Sequence, residues 1–195
     1  MLVTNGMGGT GEASDLALIE RAREGDERAF RALVERHESR VASTVIGMLG
    51  PGDEAEDVGQ ETFIRFYRSL DRFRGDSSIA TYLTRIAINL SLTALKKRKR
   101  LRSRFVSRDG AARTDAEDAW DPREDIERQD ARRRVRAAVD RLSADHRAVV
   151  VLRMIEGYST RETAEILEIP VGTVMSRLAR AMERLERDMK ESSDG

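Results

Sequence analysis

Near the C-terminal end of the chain, Thr173, Arg177, Arg180 and Arg184 recur at steps of four, three and four. That spacing puts them on one flank of a helix. Guanidiniums in this pattern form no nucleophile and move no proton at neutral pH. They hold phosphates and donate paired hydrogen bonds to the outer edge of guanine. One position further on, Val174, Leu178, Ala181 and Leu185 repeat the same steps. The helix therefore carries an apolar stripe roughly 100° round from the basic one.

The preceding residues say how this helix is positioned. Gly157 suits a left-handed helix exit. Ser159 and Glu162 have the spacing of a capping box. Ala164, Ile166 and Leu167 give a short helix its inward face, and Pro170 suits the first turn of the next. A short helix turning into a longer one with a free basic flank is the layout of a helix-turn-helix that reads a major groove. A basic helix alone is ordinarily a solvated face. The capping box, the proline turn and the small Gly172 and Thr173 favour DNA instead, because they let a helix start approach a phosphate backbone.

A second basic cluster lies earlier. Arg85, Asn89 and Lys96 align on one helix side, and residues 96–100 read Lys-Lys-Arg-Lys-Arg. Single strands are held by a basic track with stacking platforms, and Tyr82 and Asn89 lie beside this one. A solubility or localisation tract is the weaker reading, since it needs neither side chain.

Periodicity and breakers predict an all-α chain of two small helical domains joined by a flexible linker. Residues 1–13 are Gly- and Thr-rich and read as a disordered tail. Domain one is expected over 14–102. Its helices cover about 15–24, capped by Ser14; 27–49, ended by Gly50-Pro51-Gly52; 53–69, with Asp53 and Glu56 as a capping box; and 78–100, capped by Ser77. Phe63, Phe66, Tyr67 and Leu70 form a stripe expected in the core, leaving Asp57, Gln60, Glu61 and Arg65 outside. Residues 103–128 lose periodicity and read as the linker, with Trp120 pinning it to a domain. Helix is expected to resume near Glu124 and run to Leu142, burying Val135, Ala138, Val139 and Leu142, and so to open domain two, 129–190. A helix capped by Ser143 follows, burying Val149, Leu152 and Ile155, and leads into the helix-turn-helix.

Composition limits the function. The chain has 195 residues, 36% of them charged, with no cysteine and a net charge of zero. Disulfide and thiolate chemistry are excluded. No run is apolar enough to span a bilayer and no leader is visible, so a cytoplasmic location is expected. Two histidines, His37 and His146, lie in different domains without metal-ligand spacing, and no glycine-rich phosphate loop follows a strand. An enzyme is therefore not expected, and no cofactor or metal is called for. Charge is segregated: residues 96–108 hold eight basic and no acidic residues, while residues 53–61 are acidic. Distinct surfaces for distinct partners follow.

Together the two motif sets resemble the sigma-70 family of RNA polymerase sigma factors, specifically the extracytoplasmic-function group. The resemblance covers about residues 15–189. It is carried in the first domain by residues 56–68 (EDVGQETFIRFYR), 70–76 (LDRFRGD) and 81–89 (TYLTRIAIN). In the second it is carried by 152–159 (LRMIEGYS), 162–167 (ETAEIL) and 169–178 (IPVGTVMSRL). The resemblance implies a region 2 bundle and a region 4 helix-turn-helix, and a transcription initiation factor that directs core RNA polymerase to promoters.

It also implies site residues. Asp57, Gln60, Glu61, Phe63, Ile64, Arg65 and Arg68 would dock on the clamp of core polymerase, whose beta and beta-prime subunits are the expected partners. Arg74, Ser77, Ser78, Tyr82, Arg85 and Asn89 would hold the melted minus-ten strand, with Lys96, Lys97 and Arg98 on adjacent backbone. Arg161, Val171, Thr173, Ser176, Arg177 and Arg180 would read the minus-thirty-five duplex. An anti-sigma factor is a further expected partner, and the acidic linker would follow the RNA path of the polymerase. The chain departs from the family at Gly59, usually larger and apolar, at Met175, commonly lysine, and at Tyr82, often tryptophan. Met175, Ala179 and Met182 form an apolar strip beside the DNA face. A stand-alone helix-turn-helix regulator is the alternative, and it would need a dimer interface or a phosphoacceptor domain.

Overall fold

The computed structural model describes residues 14–105 and 126–191. The tail at 1–13 and most of the expected linker, Trp120 included, lie outside the described residues. All regular structure among the described residues is helical, without a strand: α1 (Asp15–Arg23), α2 (Glu27–Leu49), α3 (Asp53–Ser69), α4 (Ile79–Phe105), α5 (Ile126–Asp140), α6 (Ala144–Val150), α7 (Thr160–Leu167) and α8 (Val171–Glu191). A 3-10 turn, Leu70–Arg72, follows α3, and a π-helical stretch, Val151–Ile155, extends α6.

Local chemistry sets most of these bounds. Ser14 accepts from the Ala17 amide. The Asp26 carboxylate accepts from the Arg28 and Ala29 amides at 2.9 and 3.2 Å. The Arg21 guanidinium bonded to Asp26, together with those amides, holds its carboxyl below the usual carboxylate range. Gly50 and Gly52 have φ of 92° and 123°, which only glycine adopts without strain, so the breaker between α2 and α3 is built where the sequence placed it.

Two caps differ from expectation. Helix α3 starts at Asp53 itself, with Gly52 at the cap position and no side-chain cap. Asp53, Glu54 and Glu56 instead place three carboxylates in the first turn, where the helix dipole favours them. At α4 the cap is Ser78 rather than Ser77: its hydroxyl accepts from the Thr81 amide at 3.1 Å. Helix α4 also runs on to Phe105, past the expected end near Arg100, while α5, described from Ile126, agrees with a helix resuming near Glu124.

The first domain packs α1, α3 and α4 around α2. Ile19, Leu33, Val41, Val45, Met48, Phe66, Leu83 and Ile88 are among its fully buried side chains. Tyr67, expected in this core, is 53% exposed and makes an edge contact with Phe30 at 4.9 Å. In the second domain Ala138, Val139, Leu142, Val149 and Leu152 are buried as expected, but Val135 and Ile155 are each half exposed. The wider π-helical winding over residues 151–155 rotates Ile155 off the stripe that a continuous α-helix would keep.

The two domains are in contact. Ala148, Val151, Leu152, Tyr158 and Ile166 of the second belong to the same buried cluster as the core of the first. The Thr84 hydroxyl meets the Tyr158 hydroxyl at 2.9 Å inside it.

Candidate nucleic-acid interface

The helix-turn-helix is built as its residue types dictate. Gly157 has φ of 74°, the left-handed exit. The Ser159 hydroxyl accepts from the Glu162 amide at 3.2 Å, and the Glu162 carboxylate accepts from the Ser159 amide at 2.8 Å. Both arms of the capping box are present. The Ser159 hydrogen bonds keep the Glu162 carboxyl below its ordinary value. The turn into α8 uses Glu168 at φ 54°, a left-handed non-glycine residue that the sequence reading did not single out. The Pro170 carbonyl then accepts from the Thr173 and Val174 amides and opens α8.

Val174 and Ala181 are fully buried against Val149, Ala164 and Val150, with Leu178 and Leu185 packed beside them. This fixes the roll of α8 and leaves its other flank outside. Val171, Ser176 and Arg180 are exposed and Thr173 is half-buried. Arg161 on α7 is 86% exposed and pairs loosely with Glu165 at 3.3 Å. Arg177 sits lower, bound to Asp145 of α6 at 3.0 Å. Arg184 is tied inward to the buried Asp188 at 3.0 Å, so this end of the basic stripe holds the helix to its own domain. Met175 and Met182 of the apolar strip are both exposed.

In the first domain the loop from the 3-10 turn to α4 is held from behind by Arg23. Its Nε and Nη2 both donate to the Leu70 carbonyl, at 3.0 and 2.9 Å, and Nη2 also donates to Phe73. Arg74 and Ser78 are exposed on this loop and Ser77 is half-buried. Tyr82 is packed edge-on against Phe73 at 5.2 Å and near Phe66 at 6.0 Å, and its hydroxyl donates to Ser69. One ring face is thereby committed to the core. Asn89, Lys96 and Lys97 are exposed along α4. Arg98 is turned inward: it bonds Glu54 on α3 and donates to the Leu49 carbonyl at 3.2 Å. Arg85 is half-buried, and its Nη2 donates to the Glu165 carbonyl on α7 at 3.2 Å.

On α3, Asp57, Gln60, Arg65 and Arg68 are exposed, with Ile64 at 44% exposure beside Tyr67. Glu61 and Arg65 pair with each other at 2.8 Å, and Phe63 is partly buried against the core. The candidate residues thus form three surfaces: a mixed polar and apolar α3 face, the basic α4 flank, and the α7–α8 face.

Sequence reasoning missed Asp145, Glu165, Arg147 and Gly47, all of which touch these surfaces or the contact between domains. Arg147 left a signal, a charge set directly before the apolar run 148–152. Glu165 acts through its backbone carbonyl, which no residue type reveals.

Comparison with known proteins matches the model for sigma-70 region 2 over residues 33–101 and that for sigma-70 region 4 over residues 132–185. The chain is 35% identical over 184 residues to the RNA polymerase sigma-H factor of Pseudomonas aeruginosa, covering 92% of this chain and 95% of that protein. It is 36% identical to the ECF RNA polymerase sigma-E factor of Escherichia coli K12, covering 92% and 96%. Among solved structures it is similar to CnrH in complex with the cytosolic domain of CnrY, with a TM-score of 0.64, 28% identity and coverage of 91% and 97%. It is also similar to RpoE in complex with the anti-sigma factor NepR from Bartonella quintana, with a TM-score of 0.67, 25% identity and coverage of 83% and 96%.

Proposed function

Since the chain belongs to the sigma-70 family and is a transcription initiation factor of its extracytoplasmic-function group, we propose that its two domains grip promoter DNA in two different states while mounted on RNA polymerase. The exposed α3 face, through Asp57, Gln60, Ile64, Arg65 and Arg68, docks on core polymerase. The α4 flank and the loop before it, through Arg74, Ser78, Arg85, Asn89, Lys96 and Lys97, hold the unwound minus-ten strand. The α7–α8 face, through Arg161, Val171, Thr173, Ser176, Arg177 and Arg180, reads the minus-thirty-five duplex.

One observation carries this reading: a capped helix-turn-helix with an exposed basic flank and a separate basic α4 flank occur on one chain. The two surfaces suit different substrates. Duplex is read by side chains entering a groove from a rigid helix. An extruded strand needs a phosphate track and polar groups that recover the lost stacking, a few kcal/mol per base. Phosphate contacts set position, and base-edge contacts set promoter choice.

A further partner is proposed from the solved relatives. RpoE is recorded in complex with an anti-sigma factor, and an anti-sigma factor is the regulator proposed for this chain. Neither a catalytic role nor a cofactor is proposed.

Run-off transcription with core polymerase, the full chain and a library of promoter fragments tests the reading. A discrete set of transcripts that requires the protein is expected. Failure to associate with core polymerase removes the proposal, and nanomolar, sequence-specific duplex binding by the free chain favours the stand-alone regulator instead.

A further inference from the structure

Helix α1 lies before residue 33, where the match to region 2 begins. Its polar side chains are nevertheless engaged with the rest of the first domain. At its first turn the two Asp15 oxygens are taken by Arg36 at 2.6 Å and His37 at 2.9 Å, both on α2. Near its other end Arg21 pairs at 2.6 Å with Asp26, the cap of α2. Leu18, Ile19 and Ala22 are buried between these ties. The helix is thereby fixed in position and in roll.

From this fixed helix one side chain reaches the loop that leads into α4. Arg23 is half-buried; its Nε and Nη2 converge on the Leu70 carbonyl, and Nη2 also reaches the Phe73 carbonyl. Its Nη1 donates to Glu20 at 2.9 Å, one turn back. All three nitrogens are engaged, so the guanidinium plane is set and two carbonyls three residues apart are held by one fork. The Leu70 carbonyl also accepts from the Phe73 amide at 3.1 Å. The 3-10 turn is therefore closed by its own backbone and braced from behind by α1.

Phe73 is also held by its ring, buried against Phe66 and Tyr82. After it Arg74, Gly75 and Asp76 are exposed and Ser77 is half-buried, until Ser78 caps α4. Gly75 has φ of 76°, and a Cβ added there would meet Leu16 Cδ2, again on α1, at 4.0 Å. A short exposed segment takes its direction from the point where it leaves the core, and Arg23 holds that point.

We propose that Arg23 is the positioning residue of the strand-reading loop: by bridging the Leu70 and Phe73 carbonyls it fixes how residues 74–78 leave the core, and so sets discrimination at the minus-ten element without touching DNA. The consequence for DNA rests on the reading of this loop given above, whereas the bracing of the loop does not.

The full chain has no cysteine, so Asp76→Cys, at an exposed position, takes a single nitroxide whose spectrum reports loop mobility. Discrimination is read without the label, by run-off transcription with core polymerase from promoters carrying each base at each minus-ten position. Arg23→Ala is expected to sharpen the nitroxide spectrum and to reduce preference at one minus-ten position by about tenfold, within the range carried by one well-placed base contact. Preference at the minus-thirty-five element and the salt slope of promoter opening are expected to stay unchanged. Arg23→Lys keeps the charge but not the fork. It is expected to move both readouts in the same direction and by less, and it carries the test if Arg23→Ala fails to fold.

An unchanged spectrum in both variants overturns the brace. Change in Arg23→Ala alone overturns the bridging geometry, because charge then suffices. A sharpened spectrum with minus-ten preference intact overturns the consequence for DNA. Equal loss of preference at both promoter elements, with a lower unfolding midpoint, shows a merely structural role and overturns the proposal. A salt slope lowered by about one shows a direct phosphate contact and does the same. Arg74→Ala with Ser78→Asn, which keeps a capping side chain, tests the premise in a chain that retains Arg23. Loss of minus-ten preference there supports the reading of the loop. Intact preference overturns that reading and with it the consequence for DNA, while the spectrum still decides the brace.

Discussion

Arg177 has two claims on it, and replacing it distinguishes them. Its guanidinium is 3.0 Å from the Asp145 carboxylate, with the side chains 28% and 56% exposed. An ion pair this wet contributes at most about 1 kcal/mol to stability. A guanidinium seated on a guanine edge contributes about 1–3 kcal/mol of base discrimination, or roughly 5- to 150-fold. Arg177→Ala is therefore expected to leave the unfolding midpoint nearly unchanged and to flatten base preference at one minus-thirty-five position. Two assays on one preparation read this: thermal unfolding by circular dichroism, and run-off transcription from promoters randomised upstream. Asp145→Asn sharpens the test. If the carboxylate merely competes with DNA for Arg177, its removal keeps the preference and raises promoter use. Early unfolding of Arg177→Ala with every base preference intact would mean that the residue only pairs α8 to α6. Equal loss of preference in Asp145→Asn would show that the carboxylate holds Arg177 in its reading pose, contrary to the competition argued here.

The other expectations are smaller and more local. Gly59 lies inside α3 with nothing within 4 Å of an added Cβ, so Gly59→Ala should stabilise the chain by about 1 kcal/mol; a midpoint rise of about 2–4 °C indicates that both domains unfold as one unit, about 4–8 °C that the first unfolds alone, and a fall contradicts the open space. Glu162 has a folded carboxyl held below its ordinary 4.5 by the Ser159 bonds, so its stabilising effect is complete above that value and is lost as pH falls through the lower folded value; Glu162→Gln should remove this part of the acid sensitivity, measured by denaturant unfolding at several pH values. Glu168 holds a left-handed conformation, and Glu168→Gly should stabilise the turn by about 1 kcal/mol in the same unfolding assay. Lys97 is exposed on α4, and Lys97→Ala should weaken promoter opening evenly across promoters and lower the logarithmic salt slope by about one, as read by permanganate footprinting over a salt series.

Local signals were legible because their chemistry is local. Ser159 and Glu162 specify a capping box within four residues, and the stripe from Val174 to Leu185 needs only the period of a helix to reveal the buried side of α8. The exposed basic flanks of α4 and α8 were visible for the same reason. Predictions failed where a neighbour outside the window decided the outcome. Asp53 has the composition of a cap but became the first helical residue, because Gly52 with φ of 123° supplies the reversal without a side chain. Tyr67 falls on the same apolar stripe as Phe66, yet it is half exposed while Phe66 is buried. Val135 and Ile155 fit the apolar period, but the helix rolls or widens so that each is half exposed. Arg98 reads as one more phosphate contact in a basic tract, and Glu54 diverts it to hold α4 against α3. Composition alone does not separate a cation aimed at solvent from one aimed at a carboxylate on the next helix.

The contact between the domains is a different case, because it is written in what each element lacks. Helix α2 ends with no cation of its own, and burial of its last turn leaves its final carbonyls without water. Buried carbonyls without donors are costly, so a second element must supply them. The second domain has the converse need. Arg147 is drawn out of water by the apolar residues around it, and that burial pulls its guanidinium below the usual arginine range while Asp140 opposes the shift. A buried guanidinium requires acceptors, and two backbone carbonyls plus one carboxylate provide them. Met48 of the first domain supplies one of these acceptors and Asp140 of its own domain the other two, while Arg98 of α4 meets the Leu49 carbonyl from within the first domain. Parting the two domains would re-solvate the Met48 carbonyl and take one acceptor from the buried Arg147, so the strength of the contact is set largely at this bond.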